Sequence, residues 1–397
     1  MAAINSRVHA IVLVIGLVVV HCMAPGVARP QSPPTWRLEE EWRKGGAADG
    51  PYFFDKVRGL APLPNGRILV FDGAALSFHI LGPDGGVVKS FGRRGSGPGE
   101  YEQPIMGFAT APDGRILVND LNNGRLALLS VIGDVIKYVR VSRKGPGEFG
   151  MEWDGSFDRT GRFYESVGIR GTVKPSGSSR PVAGDSALMT ERWTSDFARA
   201  DSAPVCGAPL PTAANAAQHY RRESVVQLDG GRTARRSTDW LIPFTEQAVT
   251  FVRDLDGLIW SPAMPGSNAL QRRESGKCAA PMATTRLAGN RARVPDSLYK
   301  ARSAASWAEM RFRIPHEYPW FNSLRVDDRN QLWVEREVDG GRRFDVFTSA
   351  GRQVRTLAIP DRAARDLPML VAHDHLYAFV RNRDDVVFLV AWRIAGT

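Results

Sequence analysis

Histidine and cysteine are scarce, with seven and three in 397 residues. No H-E-x-x-H pattern is present, and zinc needs three or four converging ligands, so the sequence offers no zinc site. G-x-x-x-x-G-K-[ST] is missing too, and no helix follows Gly92 to Gly99, so that glycine-rich stretch is not a phosphate loop. Gly95-Ser96-Gly97 lacks the spacing and the strand-to-helix elbow of a serine nucleophile. No Lys/Arg run is interleaved with aromatics as a single-strand reader needs. The net charge of +10 is therefore read as scattered, solvated arginine, with no specific nucleic-acid partner. A long apolar run occurs once, from Ala10 to Val20.

That run follows Arg7 and precedes the small residues Gly26-Val27-Ala28. The order is that of a secretory signal over residues 1–28, cleaved after Ala28. Its apolar core is short for a membrane span, although an uncleaved anchor is the alternative. A lipid attachment at Cys22 fails because His21 stands where a small residue is needed. The mature chain is expected outside the cytoplasm, periplasmic or secreted, without a transmembrane segment. Loss of Arg7 lowers the charge from +10 to +9. Cys206 and Cys278 remain, and an oxidising compartment permits a disulfide between them; two separate thiols are the other reading.

What the chain does contain is repetition. Asn65-Gly66-Arg67-Ile68-Leu69-Val70 returns as Asp113-Gly114-Arg115-Ile116-Leu117-Val118. Gly97-Pro98-Gly99-Glu100-Tyr101 returns as Gly145-Pro146-Gly147-Glu148-Phe149. Ile80 to Gly85 echoes more loosely in Leu128 to Gly133, and all three pairs share an offset of 48 residues. A period of 40–50 built from short apolar runs and glycine turns is the signature of propeller blades. Within the first unit, Val57–Leu63, Arg67–Asp72, Leu76–Leu81 and Val87–Phe91 read as four strands joined by Asn-Gly and Asp-Gly turns. The segment Gly95 to Gly99 reads as the crossing to the next unit.

These residues, with Pro104, Pro112, Asp120, Asn123, Arg125 and Gly133, resemble an NHL repeat. More broadly, the chain resembles the six-bladed β-propeller proteins exported by bacteria. The likeness is good over residues 57–149 and weak beyond them. The expected fold is thus all-β: a single six-bladed β-propeller over residues 29–397, made of four-stranded antiparallel blades. Approximate blades are 57–103, 104–150, 151–200, 240–290, 320–360 and 366–395, with insertions at 171–182, 203–218 and 294–312. Pro295-Asp296-Ser297 is expected to open a short helix in the last of these, with Leu298, Ala301, Ala305 and Ala308 along one side. The sixth blade offers three strands, and Trp36–Trp42, alternating apolar and polar, is expected to supply the fourth and close the ring. A seventh blade is the alternative, because Gly161 to Gly257 spans two periods.

No catalytic, cofactor-binding or metal-binding residue is assigned. Asp72 and Asp120 end equivalent strands and read as turn-scaffolding acids. Asn119, Asp120 and Asn122 as calcium ligands is the competing reading, without matching acids from other blades. His79, His219 and His316 show no ligand spacing. His373-Asp374-His375 occupies the expected turn of the sixth blade, with both histidines exposed. Trp260 and Trp333 read as blade packing, whereas Trp307 and Trp320, beside the insertion, are candidates for an exposed contact. The function expected is non-enzymatic binding or scaffolding of an unknown protein, peptide or glycan. The alternative is a hydrolase or lyase with a channel-bound metal, similar to calcium-dependent lactonases.

Overall fold

A computed structural model describes residues 34–46, 54, 56–103, 105, 107–140, 154–172, 182–205, 219–227, 233–245, 251–264, 266–306, 308–311 and 313–396. Of the two compact units into which the chain divides, Met1–Ser32 and Pro33–Thr397, only the second falls within these residues. Residues 1–28, expected as a secretory signal, lie outside them. No helix among the described residues is long and apolar enough to cross a membrane.

Pro33–Thr397 is an all-β unit with a propeller-like ring of four-stranded antiparallel sheets. It opens with β1 (Thr35–Gly45). The first sheet follows as β2 (Val57–Leu63), β3 (Arg67–Asp72), β4 (Ser77–Leu81) and β5 (Val87–Phe91), paired in chain order. Two short parallel strands, β6 (Arg93–Arg94) and β7 (Glu100–Tyr101), frame the glycine-rich crossing. The second sheet is β8 (Gly107–Thr110), β9 (Ile116–Asp120), β10 (Arg125–Leu129) and β11 (Val135–Arg140). The third is β12 (Ser156–Phe157), β13 (Phe163–Thr172), β14 (Val182–Trp193) and β15 (Arg199–Pro204).

A hairpin of β16 (His219–Gln227) and β17 (Thr233–Leu241) comes next, in register from His219↔Leu241 to Gln227↔Thr233. It occupies the stretch that left room for a seventh blade. The fourth sheet is β18 (Val252–Arg253), β19 (Ile259–Pro262), β20 (Ala269–Arg273) and β21 (Ala283–Arg286). Two helices follow, α1 (Asp296–Ala304) and α2 (Ala308–Arg311). Asp296 lies in the first turn of α1, where a carboxylate meets the positive end of the helix dipole. No residue of α1 is buried, so its alanine side does not enter the core.

The last sheet has eight strands. β22 (Ser323–Val326), β23 (Leu332–Val338), β24 (Gly341–Phe347) and β25 (Gln353–Ile359) make one half. β26 (Met369–Ala372), β27 (His375–Arg381), β28 (Val387–Ala395) and β1 make the other. β1 pairs antiparallel with β28 from Arg37↔Ala395 to Gly45↔Phe388, so a strand from the chain's beginning completes the sheet at its end. Its first two residues also pair parallel with Thr356 and Leu357 of β25, which fuses the two halves.

Side-chain alternation explains why the sheets pack face to face. Successive residues of a strand point to opposite faces. Ile68 and Val70 pack with Tyr377, Phe379 and Leu389 of the last sheet, while Leu69 and Phe71 pack with Ile116 and Val118 of the second. Leu117 faces the other way, onto Phe157, Phe163 and Trp193 of the third. On β23, Leu332 and Val334 face the fourth sheet and Trp333 faces β27 and β28. A strand buried on both sides must be apolar at nearly every position, which is why Arg67-Ile-Leu-Val-Phe-Asp72 has no polar alternation.

The third and fourth sheets meet differently. There the Arg253 guanidinium lies 4.7 Å from the Tyr164 ring centroid and donates to Thr190 Oγ1 at 3.0 Å. Away from the sheets, Ile242, at the foot of the hairpin, is fully buried against Met310 and Ile314, with Phe244 and Tyr299 packed around them. The two largest insertions therefore share a small core of their own. The helical insertion is pinned at its base by Val294 N–H to His316 O (2.8 Å) and Tyr318 N–H to Ala292 O (2.9 Å).

Candidate functional site

Each sheet's first and second strands are joined by a turn, and these turns form a belt. Asp158, Asp254 and Asp327 are all buried at turn starts. One carboxylate oxygen of each accepts two backbone N–H groups of its own turn. The donors are Thr160 and Arg162 (2.8 and 3.0 Å), Asp256 and Leu258 (2.9 and 3.1 Å), and Arg329 and Gln331 (3.0 and 2.7 Å). The second oxygen takes a side chain: Tyr164 Oη at 2.9 Å, Arg272 Nε at 2.5 Å or Trp333 Nε1 at 2.9 Å. Neighbouring turns are also tied together. Arg159 N–H donates to Leu255 O (2.8 Å), Leu255 N–H to Asn330 Oδ1 (2.7 Å), and His373 N–H to Asp328 Oδ2 (3.0 Å). Gly114 sits where an added Cβ would stand 2.9 Å from Pro64 Cδ, so the first two turns need glycine for their close approach.

The acids singled out by the sequence serve similar ends. Asp72 accepts the N–H groups of Ala74 (2.8 Å) and Ala75 (3.3 Å). Asp120 accepts Glu102 N–H (3.2 Å), Asn123 Nδ2 (2.9 Å) and Arg125 Nε (2.8 Å). Asn119 is buried beside it, and Asn122 donates to Gln103 O. Arg125 also donates to the carbonyls of Ser96 (3.1 Å), Gly97 (3.2 Å) and Glu100 (2.8 Å), and lies 4.0 Å from the Tyr138 ring centroid. The glycine-rich crossing thus turns carbonyls towards a guanidinium of its own chain. Glu100 is held below the usual carboxylate range by the Gly97 N–H and by Arg93.

The histidines do not converge. His79 bridges Ser90 Oγ (2.8 Å) and Ser77 Oγ (3.1 Å), and burial lowers its pKa. His316 stacks on Tyr299 with ring centroids 4.1 Å apart. His219 belongs to β16, and its side chain lies outside the described residues. His373 and His375 were expected to be exposed; both are half-buried with carboxylate partners. His373 Nδ1 lies 3.4 Å from Asp328 Oδ2, and His375 Nε2 lies 2.8 Å from Glu41 Oε2 on β1. Positive φ at His373 and Asp374 turns the chain too tightly for the two rings to share a face. Among the described residues no three His, Cys, Asp or Glu side chains are grouped to hold a metal ion.

Trp260 and Trp333 are buried within the sheets. Trp320 is half-buried and accepts at its carbonyl from Arg336 Nε (3.1 Å); Trp307 lies outside the described residues. Cys278 is disulfide-bonded, and Cys206 lies outside the described residues.

Sequence reasoning missed the buried charge in β22 to β24. Arg336 and Asp345 pair at 2.8 Å with side chains 2 % and 1 % exposed, so each neutralises a charge that burial would otherwise make costly. Glu335 accepts Ser323 Oγ (2.7 Å) and Arg342 Nη1 (3.2 Å). Arg325 Nη1 lies 3.4 Å from the same carboxylate, so Glu335 sits between two cations.

It also missed an open cleft of about 310 Å³ at the seam where β1 closes the last sheet. Trp36, Trp333, Val371, Ala372 and Ile394 supply its apolar surface. Trp36 stacks on Trp333 with centroids 5.6 Å apart and planes 22° from parallel. Asp327, Asp328, Arg329, Gln331 and Asp374 supply the polar surface. Burial raises the pKa of Asp327; the His373 hydrogen bond lowers that of Asp328, and Asp328 raises that of His373. Arg329 pairs with Asp374 at 2.7 Å.

No family model and no curated protein matches the chain. Solved structures resemble it in general arrangement. Virginiamycin B lyase from Staphylococcus aureus is 10% identical, with 89% of this chain and 99% of that one covered at a TM-score of 0.43. A member of the DUF4221 family from Bacteroides vulgatus is 11% identical, with 92% and 100% covered at 0.44. A PQQ-bound aldose sugar dehydrogenase from Streptomyces coelicolor is 12% identical, with 92% and 100% covered at 0.44. Likeness at this level carries nothing about activity.

Proposed function

We propose that this chain is an exported, six-bladed, NHL-like propeller, processed after Ala28, that binds a ligand without transforming it. The blade count takes the eight-stranded sheet as two blades joined by β1, with the β16–β17 hairpin as an insertion between blades three and four. The ligand class is a protein, peptide or glycan met in the periplasm or outside the cell. One contrast carries the reading: the acids that could serve chemistry are committed to turns and ion pairs, while the cleft at the ring seam stands open. Its volume is at the lower end of the range of small-ligand sites. A Cys206–Cys278 disulfide belongs to the same reading. Gly276 N–H donates to Pro204 O at 2.9 Å, which brings together the positions two residues before each cysteine.

The test is turnover. The mature protein, supplied in turn with calcium, zinc or magnesium, is assayed against lactones, esters and cyclic depsipeptides. The reading expects no catalysis above background. Metal-dependent turnover abolished by a chelator would replace it with the hydrolase or lyase alternative.

A further inference from the structure

We propose that the seam cleft takes a neutral polyhydroxylated ring, a single hexopyranose-sized unit of a glycan. The proposal rests on the reading of the propeller as a binding module and names the chemistry of its ligand. Three observations converge on it.

The first is size: about 310 Å³ accommodates one six-membered ring with its substituents. The second is the apolar surface. Trp36 is fixed by its stack on Trp333, and Arg355, which does not line the cleft, stands 5.8 Å from its centroid. Val371, Ala372 and Trp333 are buried, so the partly exposed Trp36 and Ile394 present the apolar area to the C–H groups of a sugar, at little entropic cost for a fixed ring.

The third is the polar rim, where each charged group already has a partner within the protein. Asp374 holds Arg329, Asp328 holds both the N–H and the ring of His373, and Asp327 is buried under its own turn and the Trp333 indole. A charged ligand would compete with these partners, whereas a neutral one need not. What remains for a ligand is the Gln331 amide, which offers both donor and acceptor, and the further N–H groups of the largely exposed Arg329. Mixed donors and acceptors over an apolar surface suit hydroxyl groups, each of which is both.

The experiment titrates the mature protein with glucose, galactose, mannose and N-acetylglucosamine, following tryptophan fluorescence and saturation-transfer NMR. At least one sugar is expected to bind with a Kd on the order of a few millimolar, the range of a single ring. Gln331→Ala and Arg329→Ala, both on the rim, are expected to weaken that binding at least about tenfold with unchanged melting. No response to any sugar at about ten times that concentration would overturn the proposal. So would binding that survives both substitutions, or tighter binding of choline or arginine than of any sugar. Such a failure without turnover would sink the ligand class alone; metal-dependent turnover would sink the binding-module reading itself.

Discussion

Ring closure can be tested at one contact between β1 and the first sheet. Trp42 donates its indole N–H to Pro83 O at 2.7 Å, and its ring lies against the Asp84-Gly85-Gly86 turn. Its other neighbour is Tyr377, with centroids 6.0 Å apart. Truncating a buried tryptophan to alanine costs about 3–5 kcal/mol; Trp42 is half-buried, so Trp42→Ala should cost about 2 kcal/mol. Trp42→Phe keeps most of the ring and loses only a bond to an exposed carbonyl, so about 0.5–1 kcal/mol is expected. Gly85 has φ +75, and an added Cβ would lie 2.8 Å from the Trp42 ring. Gly85→Ala therefore carries about 1 kcal/mol of backbone strain plus about 1–3 kcal/mol of overpacking. In a Trp42→Ala background only the strain remains. Equilibrium urea unfolding followed by far-UV circular dichroism should show the double variant less destabilised than the sum by the overpacking lost, about 1–3 kcal/mol. Strict additivity, or Trp42→Ala with an unchanged midpoint, would refute closure through this contact.

Three further outcomes are expected. The hydrogen bond to Asp328 raises His373 above its ordinary 6.5, so its stabilisation is full below that value and is lost as pH rises through the raised one. Asp328, lowered from 3.8, keeps its share until pH falls through its depressed value, so the pair contributes most between about pH 4 and 6.5. His373→Asn, which tolerates positive φ, should lose that stabilisation and change the slope of melting temperature against pH between about 6 and 8; an unaltered slope would count against the pair. Arg125→Met leaves the fully buried Asp120 without its cation and should cost about 3–5 kcal/mol, partly recovered by adding Asp120→Asn; denaturant midpoints equal to the parent's would refute the caged-arginine account. Peptide mapping of the non-reduced protein should find Cys206 linked to Cys278, and Cys206→Ser should lower stability by about 4 kcal/mol; a free Cys206 would exclude that pairing.

The propeller was legible because its signals are local. Glycines 66, 114 and 161 recur at nearly one period, their turns require positive φ, and Trp36 to Trp42 alternates visibly. What stayed hidden depends on pairings distant in sequence. Arg336, Asp345, Glu335 and Arg342 read as surface residues by type, and only their mutual pairing permits burial. The β16–β17 hairpin, with Arg221, Arg222, Arg235 and Arg236, carries no apolar run to announce a strand. The cleft draws on β1, the turn before β23, the turn before β27 and the end of β28, so no window of sequence contains it. His373 and His375 misled because a turn position suggests exposure, whereas here each ring meets a carboxylate distant in sequence, Asp328 of the neighbouring turn and Glu41 of β1.

Metal analysis of residues 29–397, purified without chelators, decides between binding and chemistry. Calcium and zinc are expected far below one per chain, because the acids that could hold them are engaged by turns and arginines. Near-stoichiometric metal would contradict it and point instead to a metal-dependent hydrolase or lyase.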